Sequence, residues 1–230
     1  MEQYLLLLLL AGIVAMDTTE GPQWLVSEPI VSCTLAGALF GDMRTGVVLG
    51  LFFQMIWIGY LPLGATRFYD SNMGSLIATS SLLAAGDMFP FSPEMTVAGF
   101  VPALFFGLWV SYIGIYIINA GRKINGFRTA QYLSLLELKQ VPDLPSVHLA
   151  GVARSFLRGC LMAAVLVPVG MLICQSVRYL PANGIRAAAS AAQYGAGAAA
   201  ATVVVFYWSR NRYASLSAGA IGGFLWALTR

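Results

Sequence analysis

Residues 28–65 read EPIVSCTLAGALFGDMRTGVVLGLFFQMIWIGYLPLGA, and this stretch decides the fold. Two apolar runs, Pro29–Gly41 and Thr45–Ala65, flank a polar knuckle at Asp42–Arg44. Gln54 stands near the middle of the second run. The first run has only 13 residues, whereas a helix needs roughly 20 to cross a bilayer straight. It therefore reads as half a crossing that turns back. Lipid tolerates such broken segments only where protein or a water-filled cavity covers the freed backbone groups. In transporters they commonly build the substrate site near the midplane, so the stretch points to transport.

Working outward, the rest of the chain has the same character. Hydrophobic residues make up 58% of the 230 and charged residues 10%, against roughly 25% charged in a soluble domain. No Asp, Glu, Lys or Arg occurs in Met95–Gly121, Gly159–Val177, Ala187–Ser209 or Tyr213–Thr229. With Tyr4–Met16, the hairpin and Ser71–Gly86, about seven to nine hydrophobic segments result. The expected fold is an all-α integral membrane protein, a multi-helix bundle with broken or re-entrant helical hairpins. A single domain is expected over 1–230, with a hairpin core at about 26–86 and a helical bundle at about 95–230. Tyr4–Ala15 has the length of a signal-peptide core, but only Glu2 is charged before it. A secretory n-region is basic, so a retained membrane segment is expected.

The charge of +3 is no nucleic-acid signature, because the bases sit at segment ends. Arg122, Lys123, Arg128 and Lys139 crowd the expected loop Gly121–Val147 against only Glu137 and Asp143. The positive-inside rule makes that loop cytoplasmic and Asp87–Glu94 external. Arg210 and Arg212 fit this topology, while Arg178 and Arg186 run against it. Cys33, Cys160 and Cys174 lie in apolar runs with no CxxC and no metal spacing, and read as small buried hydrophobes. Gly195, Gly197 and the alanines at Ala187–Ala189 and Ala198–Ala201, with Gly219, Gly222 and Gly223, suit close helix packing in lipid. That face either closes the chain's own bundle or docks another membrane subunit. No phosphate loop, HExxH or Ser–His–Asp set occurs, and one His is available. No cofactor and no self-sufficient enzyme is expected.

The segment SCTLAGALFGDMRTGVVLGLFFQMIWIGYLPLGA closely resembles the IIC membrane subunit of the mannose–fructose–sorbose class of bacterial phosphotransferase-system (PTS) sugar transporters. The resemblance is carried by Pro29, Cys33-Thr34-Leu35, Gly41-Asp42, Arg44-Thr45-Gly46 and Gly59 to Ala65. It continues through Asp70 and Ser75–Thr79 and returns more faintly at His148–Arg158. It implies a multi-pass protein of the bacterial cytoplasmic membrane that pairs with a IID membrane subunit, with a trimer of such pairs as the expected assembly. Sugar, a hexose or amino sugar, would cross by an elevator-like shift of the hairpin core. Soluble IIA and IIB phosphocarriers would relay phosphate to it through histidines of their own. Two departures stand out. The family commonly has glutamate where Gln54 stands and a basic residue where Glu28 stands.

The substrate-binding candidates are Gln54, Asp70 and Asn72; no catalytic or metal-binding residue is expected. An amide amid apolar residues must find partners, and its donors and carbonyl match sugar hydroxyls. The alternative for Gln54 is an interhelical hydrogen bond. Gln54→Glu should be mild, since it restores the family's acceptor. Asp70 and Asn72 carry the groups that sugar sites use, or else form a polar loop in which Arg67 neutralises Asp70. Phe68 or Tyr69 can stack on a sugar. Asp42 reads as a helix cap and is a functional candidate with Arg44 only as the alternative. His148 reads as structural. Arg154 and Arg158, four apart on one helical face, suit lipid phosphates or a cytoplasmic partner. The functional reading is a sugar-translocating IIC subunit. The alternatives are a non-transporting regulatory or scaffolding descendant and an unrelated small transporter or pore.

Overall fold

The computed structural model describes residues 2–21, 23–57, 69–138 and 144–208. Among them the elements are helices α1 (Glu2–Thr19), α2 (Pro29–Leu39), α3 (Met43–Trp57) and α4 (Ser71–Met88), followed by α5 (Pro93–Ala98), α6 (Phe100–Glu137), α7 (Leu144–Gln175) and α8 (Ala182–Trp208). A 3-10 turn, Ser176–Tyr179, links the last two. Gly59–Ala65, Arg67, Phe68, Arg210, Arg212, Gly219, Gly222 and Gly223 lie outside the described residues, as do the side chains of Gly197 and Ala198–Ala201.

The quoted stretch folds as the short hairpin its punctuation dictates. Pro29 opens α2 at a position where its missing N–H costs nothing. Gly41 takes φ +76°, a left-handed turn that glycine enters without strain, and the Asp42 N–H returns to the Gly37 carbonyl at 2.9 Å. Asp42 Oδ1 then accepts the Thr45 N–H at 3.0 Å and caps α3. The two arms lie against each other so closely that a Cβ on Gly46 would strike the Cys33 carbonyl. At 1.5 Å per residue, α2 is about 16 Å long and does not cross about 30 Å of hydrocarbon alone.

Helix α4 is the axis of the molecule, with every residue from Met73 to Ala85 buried. Around it pack α1, α2, α3, α6 and α7. One apolar core joins Leu7, Leu10 and Val14 of α1 to Met73, Leu76 and Ile77 of α4, Val110 of α6 and Val167 of α7. Helices α6 and α7 are long and apolar enough to span a membrane. Their outer faces carry Phe105 at 70% exposure and Leu161 at 65%, an apolar surface that suits lipid rather than water.

Two contacts fix the ends of the bundle. Gln3 donates to Asp87 at 2.6 Å, and the Tyr4 and Phe40 rings meet at 5.6 Å. The start of α1, the hairpin tip and the end of α4 therefore share one end. The hairpin base, the start of α4 and the start of α7 share the other.

The expected loop Gly121–Val147 is different in the structure. Helix α6 runs on through Arg122, Lys123 and Arg128 to Glu137, and α7 begins at Leu144. Gly121 and Gly126 each weaken a helix by only about 1 kcal/mol, and Ala120, Arg122, Lys123, Arg128 and Ala130 around them are good helix formers. Arg122, Lys123 and Arg128 sit on a helical extension, and Lys139 and Asp143 lie outside the described residues.

Candidate functional site

The start of α4 carries the most demanding electrostatics among the described residues. Asp70 is fully buried and forms a 3.2 Å ion pair with Arg158 of α7. Arg158 Nη2 also donates to the Ala15 carbonyl near the end of α1, at 3.1 Å. Asp70 Oδ1 accepts the Met73 N–H at 3.4 Å, capping α4. The Asp70 N–H donates to the Ser111 carbonyl of α6 at 3.0 Å. Gly114 permits this approach, since a Cβ there would strike Asp70. Asp70 and its partner Arg158 thus tie α1, α4, α6 and α7 together. A buried charge keeps its place only when paired and hydrogen-bonded, and both conditions hold.

Asn72 stands beside this knot, its Nδ2 donating to Thr18 Oγ1 at 3.2 Å. On the other flank, Tyr69 brings aromatic surface, with its ring 5.5 Å from Trp57 at the end of α3 and 6.5 Å from Tyr112 of α6. Tyr112 and Tyr116 share a hydroxyl hydrogen bond at 3.0 Å. An amide, a carboxylate and aromatic rings lie side by side.

Gln54 has other partners. Its Nε2 donates to Glu28 Oε2 at 2.8 Å, and its Oε1 accepts the Ile30 N–H at 3.3 Å. It closes the base of the hairpin, one turn from Trp57. Asp70, Asn72 and Tyr69 stand together by sequence, while Gln54 lies one turn before Trp57, whose ring meets that of Tyr69. No direct Gln54–Asp70 bond is among the described contacts.

Three participants escaped the sequence reading. Arg158, read there as outward-facing with Arg154, turns inward to pair with the buried carboxylate and to donate to the Ala15 carbonyl of α1. Thr18 serves Asn72. Asp17, 1% exposed, accepts the N–H groups of Trp24 at 2.5 Å and Ser27 at 3.0 Å. It thereby steadies a connector in which Gln23 and Leu25 adopt φ of 54° and 64°, conformations unfavourable for side-chain-bearing residues. The one sequence signal for Asp17 was its position as an acid ending an apolar run. His148 is exposed on α7.

A buried polar knot inside an apolar-surfaced bundle, with a short helical hairpin packed on its axis, defines an all-α membrane protein. A solved structure described as that of a membrane protein shares the fold, at TM-score 0.67 and 18% identity, over 100% of this chain and 95% of its own. Residues 1–194 match the family described as PTS system sorbose-specific IIC component, and the chain belongs to that family. It is 37% identical over 57 residues to the PTS system mannose-specific EIIC component of Escherichia coli K12, covering 25% of this chain and 21% of that protein. Against the fructose permease IIC component of Bacillus subtilis the identity is 33% over 85 residues, 36% of this chain and 30% of the relative. The sorbose-specific EIIC component of Klebsiella pneumoniae is 38% identical over 51 residues, 22% and 19% of the two chains. The matched stretches thus span less than a third of these relatives.

Proposed function

We propose that the chain is the sugar-translocating IIC subunit of a mannose-class PTS permease, a multi-pass protein of the bacterial cytoplasmic membrane. It moves a hexose or amino sugar inward for phosphorylation by a IIB partner. It works with a IID membrane subunit and a IIA phosphocarrier, and carries no phosphoryl group itself. The observation that supports this reading most is the knot at Asp70. A fully buried carboxylate, an amide and mutually tilted aromatic rings meet where α1, α3, α4, α6 and α7 converge. By the positive-inside rule this end of the bundle faces the cytoplasm, on the side of Arg122 and Arg128. On this reading the whole chain acts as one IIC-type domain, with the α2–α3 hairpin as part of the moving core.

The two departures from the family pattern weigh on the choice between transport and a regulatory descendant. Glu28 and Gln54 are hydrogen-bonded to each other. The family's acid at one position and base at the other become here an amide and an acid in reversed order. The pair is kept as a pair, which favours retained transport. Uptake of radiolabelled sugar, across a panel of hexoses and amino sugars in a strain deleted for this gene and complemented with it, tests the proposal. Complementation-dependent uptake of at least one sugar is expected. No uptake of any panel sugar, with the full set of PTS partners present, would shift the reading to regulation.

A further inference from the structure

The cleft between α6 and α7 has a chemical direction along its length. One end is polar and basic, bordered by Arg122 and Asn125 of α6 and by Gly151 and Arg154 of α7. The other end is apolar, with Ile113 and Ile117 facing Leu161 and Val165. The whole encloses about 890 Å³, within the range of ligand pockets. Leu161 and Val165 are largely exposed, so the apolar end opens to the bilayer rather than into the core.

The basic end is built to receive an acceptor. Arg154 Nε donates to the Ala150 carbonyl at 2.9 Å, while its Nη1 is buried without a hydrogen-bond partner. A buried guanidinium N–H left unmet is costly, and a turn of the Arg154 side chain into the cleft it lines would let an incoming anion meet it. Glu20 is the one carboxylate lining the cleft, and Arg158 is occupied by Asp70. Gly121 and Gly151 leave open space, with no atom within 4 Å of a Cβ built on either.

The dimensions match one lipid leaflet. Arg122 to Ile113 covers about 13 Å of helix and Arg154 to Val165 about 16 Å, at 1.5 Å per residue. Half of a hydrocarbon core is about 15 Å. We propose that this cleft binds an anionic phospholipid of the leaflet at the basic end. Its phosphate is held by Arg154, and an acyl chain lies along Ile117 and Leu161. Basic pockets between membrane helices on the cytoplasmic side bind such headgroups. A choline lipid would set its own cation among these arginines. A free phosphate would leave the apolar length unexplained, and an apolar helix would leave Arg154 Nη1 unmet.

The test is native mass spectrometry of the full chain copurified with its IID subunit, delipidated in mild detergent and titrated with phosphatidylglycerol or phosphatidylcholine. The expected result is one tightly retained phosphatidylglycerol that millimolar inorganic phosphate does not displace. Arg154→Gln should weaken retention about five- to ten-fold, the effect of one arginine at an anionic headgroup. Gly151→Phe fills the polar end from a position with open space and should abolish retention while keeping a monodisperse protein. If Arg154→Gln does not fold, Gly151→Phe decides alone. Equal retention of the two lipids overturns the proposal. So does displacement by phosphate, or unchanged retention in Gly151→Phe.

Discussion

At Gln54 the structure reverses an expectation drawn from family likeness. Gln54→Glu looked mild because glutamate is usual there, but Gln54 Nε2 lies 2.8 Å from a Glu28 carboxylate oxygen. The substitution would replace a donor with a second carboxylate and lose a charge-assisted hydrogen bond, costing about 1.5–3 kcal/mol. The single variant should therefore lower the thermal midpoint of the purified protein, and Glu28→Lys with Gln54→Glu should recover it by restoring opposite charges. A single variant as stable as the double would show that the pair does not couple. The same logic governs Asp70 with Arg158. Removing either partner leaves the other buried and unpaired, which costs about 3–5 kcal/mol. Asp70→Ala and Arg158→Ala should each destabilise severely. The neutral pair Asp70→Asn with Arg158→Gln should regain much of the stability yet still fail in sugar uptake if Asp70 contacts the substrate. Wild-type uptake in that stable double variant would remove Asp70 from the sugar site.

Among the elements, the hairpin was the most legible. Thirteen apolar residues between Pro29 and Gly41, then Asp42 before another apolar run, leave little but a tight turn between short helices, and the structure has one. The buried knot was half legible. Asp70 and Asn72 stood out as polar residues at a segment edge, but Arg158 lies 88 residues away and read as amphipathic surface with Arg154. Nothing local distinguishes an arginine turned toward a buried acid from one turned toward lipid phosphate. The extension of α6 was not legible because clustered charge is the usual mark of a loop, whereas here charge and helix coexist. Asp17 was overlooked because a connector has no periodicity to read. Its two hydrogen bonds hold backbone at positive φ, so Asp17→Ala should lower stability by about 2–3 kcal/mol. Glycine at Leu25 should partly rescue it by relieving the left-handed backbone. Thermal unfolding of the single and double variants checks this, and an absence of rescue would mean that the connector stores no strain. The arginines that contradict the charge rule also have local partners. Arg178 lies over the Phe89 ring at 4.9 Å, and Arg186 donates to Asn183 at 3.0 Å.

For the molecule as a whole, the open question is what covers its apolar sides. Between Ala182 and Gly195, α8 buries only Ala192, although the segment is rich in alanine and free of charge beyond Arg186. In lipid no hydrophobic force gathers helices, and small residues earn their place by letting backbones approach. An alanine face left uncovered by its own bundle therefore suits a second membrane subunit, the IID partner of the proposed complex. Expressed alone, the chain should aggregate or be degraded. Expressed with a IID subunit, it should copurify as a defined complex, and Ala187→Leu or Ala191→Leu on the open face should weaken that complex without preventing membrane insertion. Size-exclusion chromatography with multi-angle scattering, run on both preparations, measures this directly. A monodisperse, sugar-binding monomer from the chain alone would count against the pairing. Leucine variants that assemble normally would move the interface away from α8, because a face that closes on another backbone cannot absorb an extra isopropyl group without separating from it.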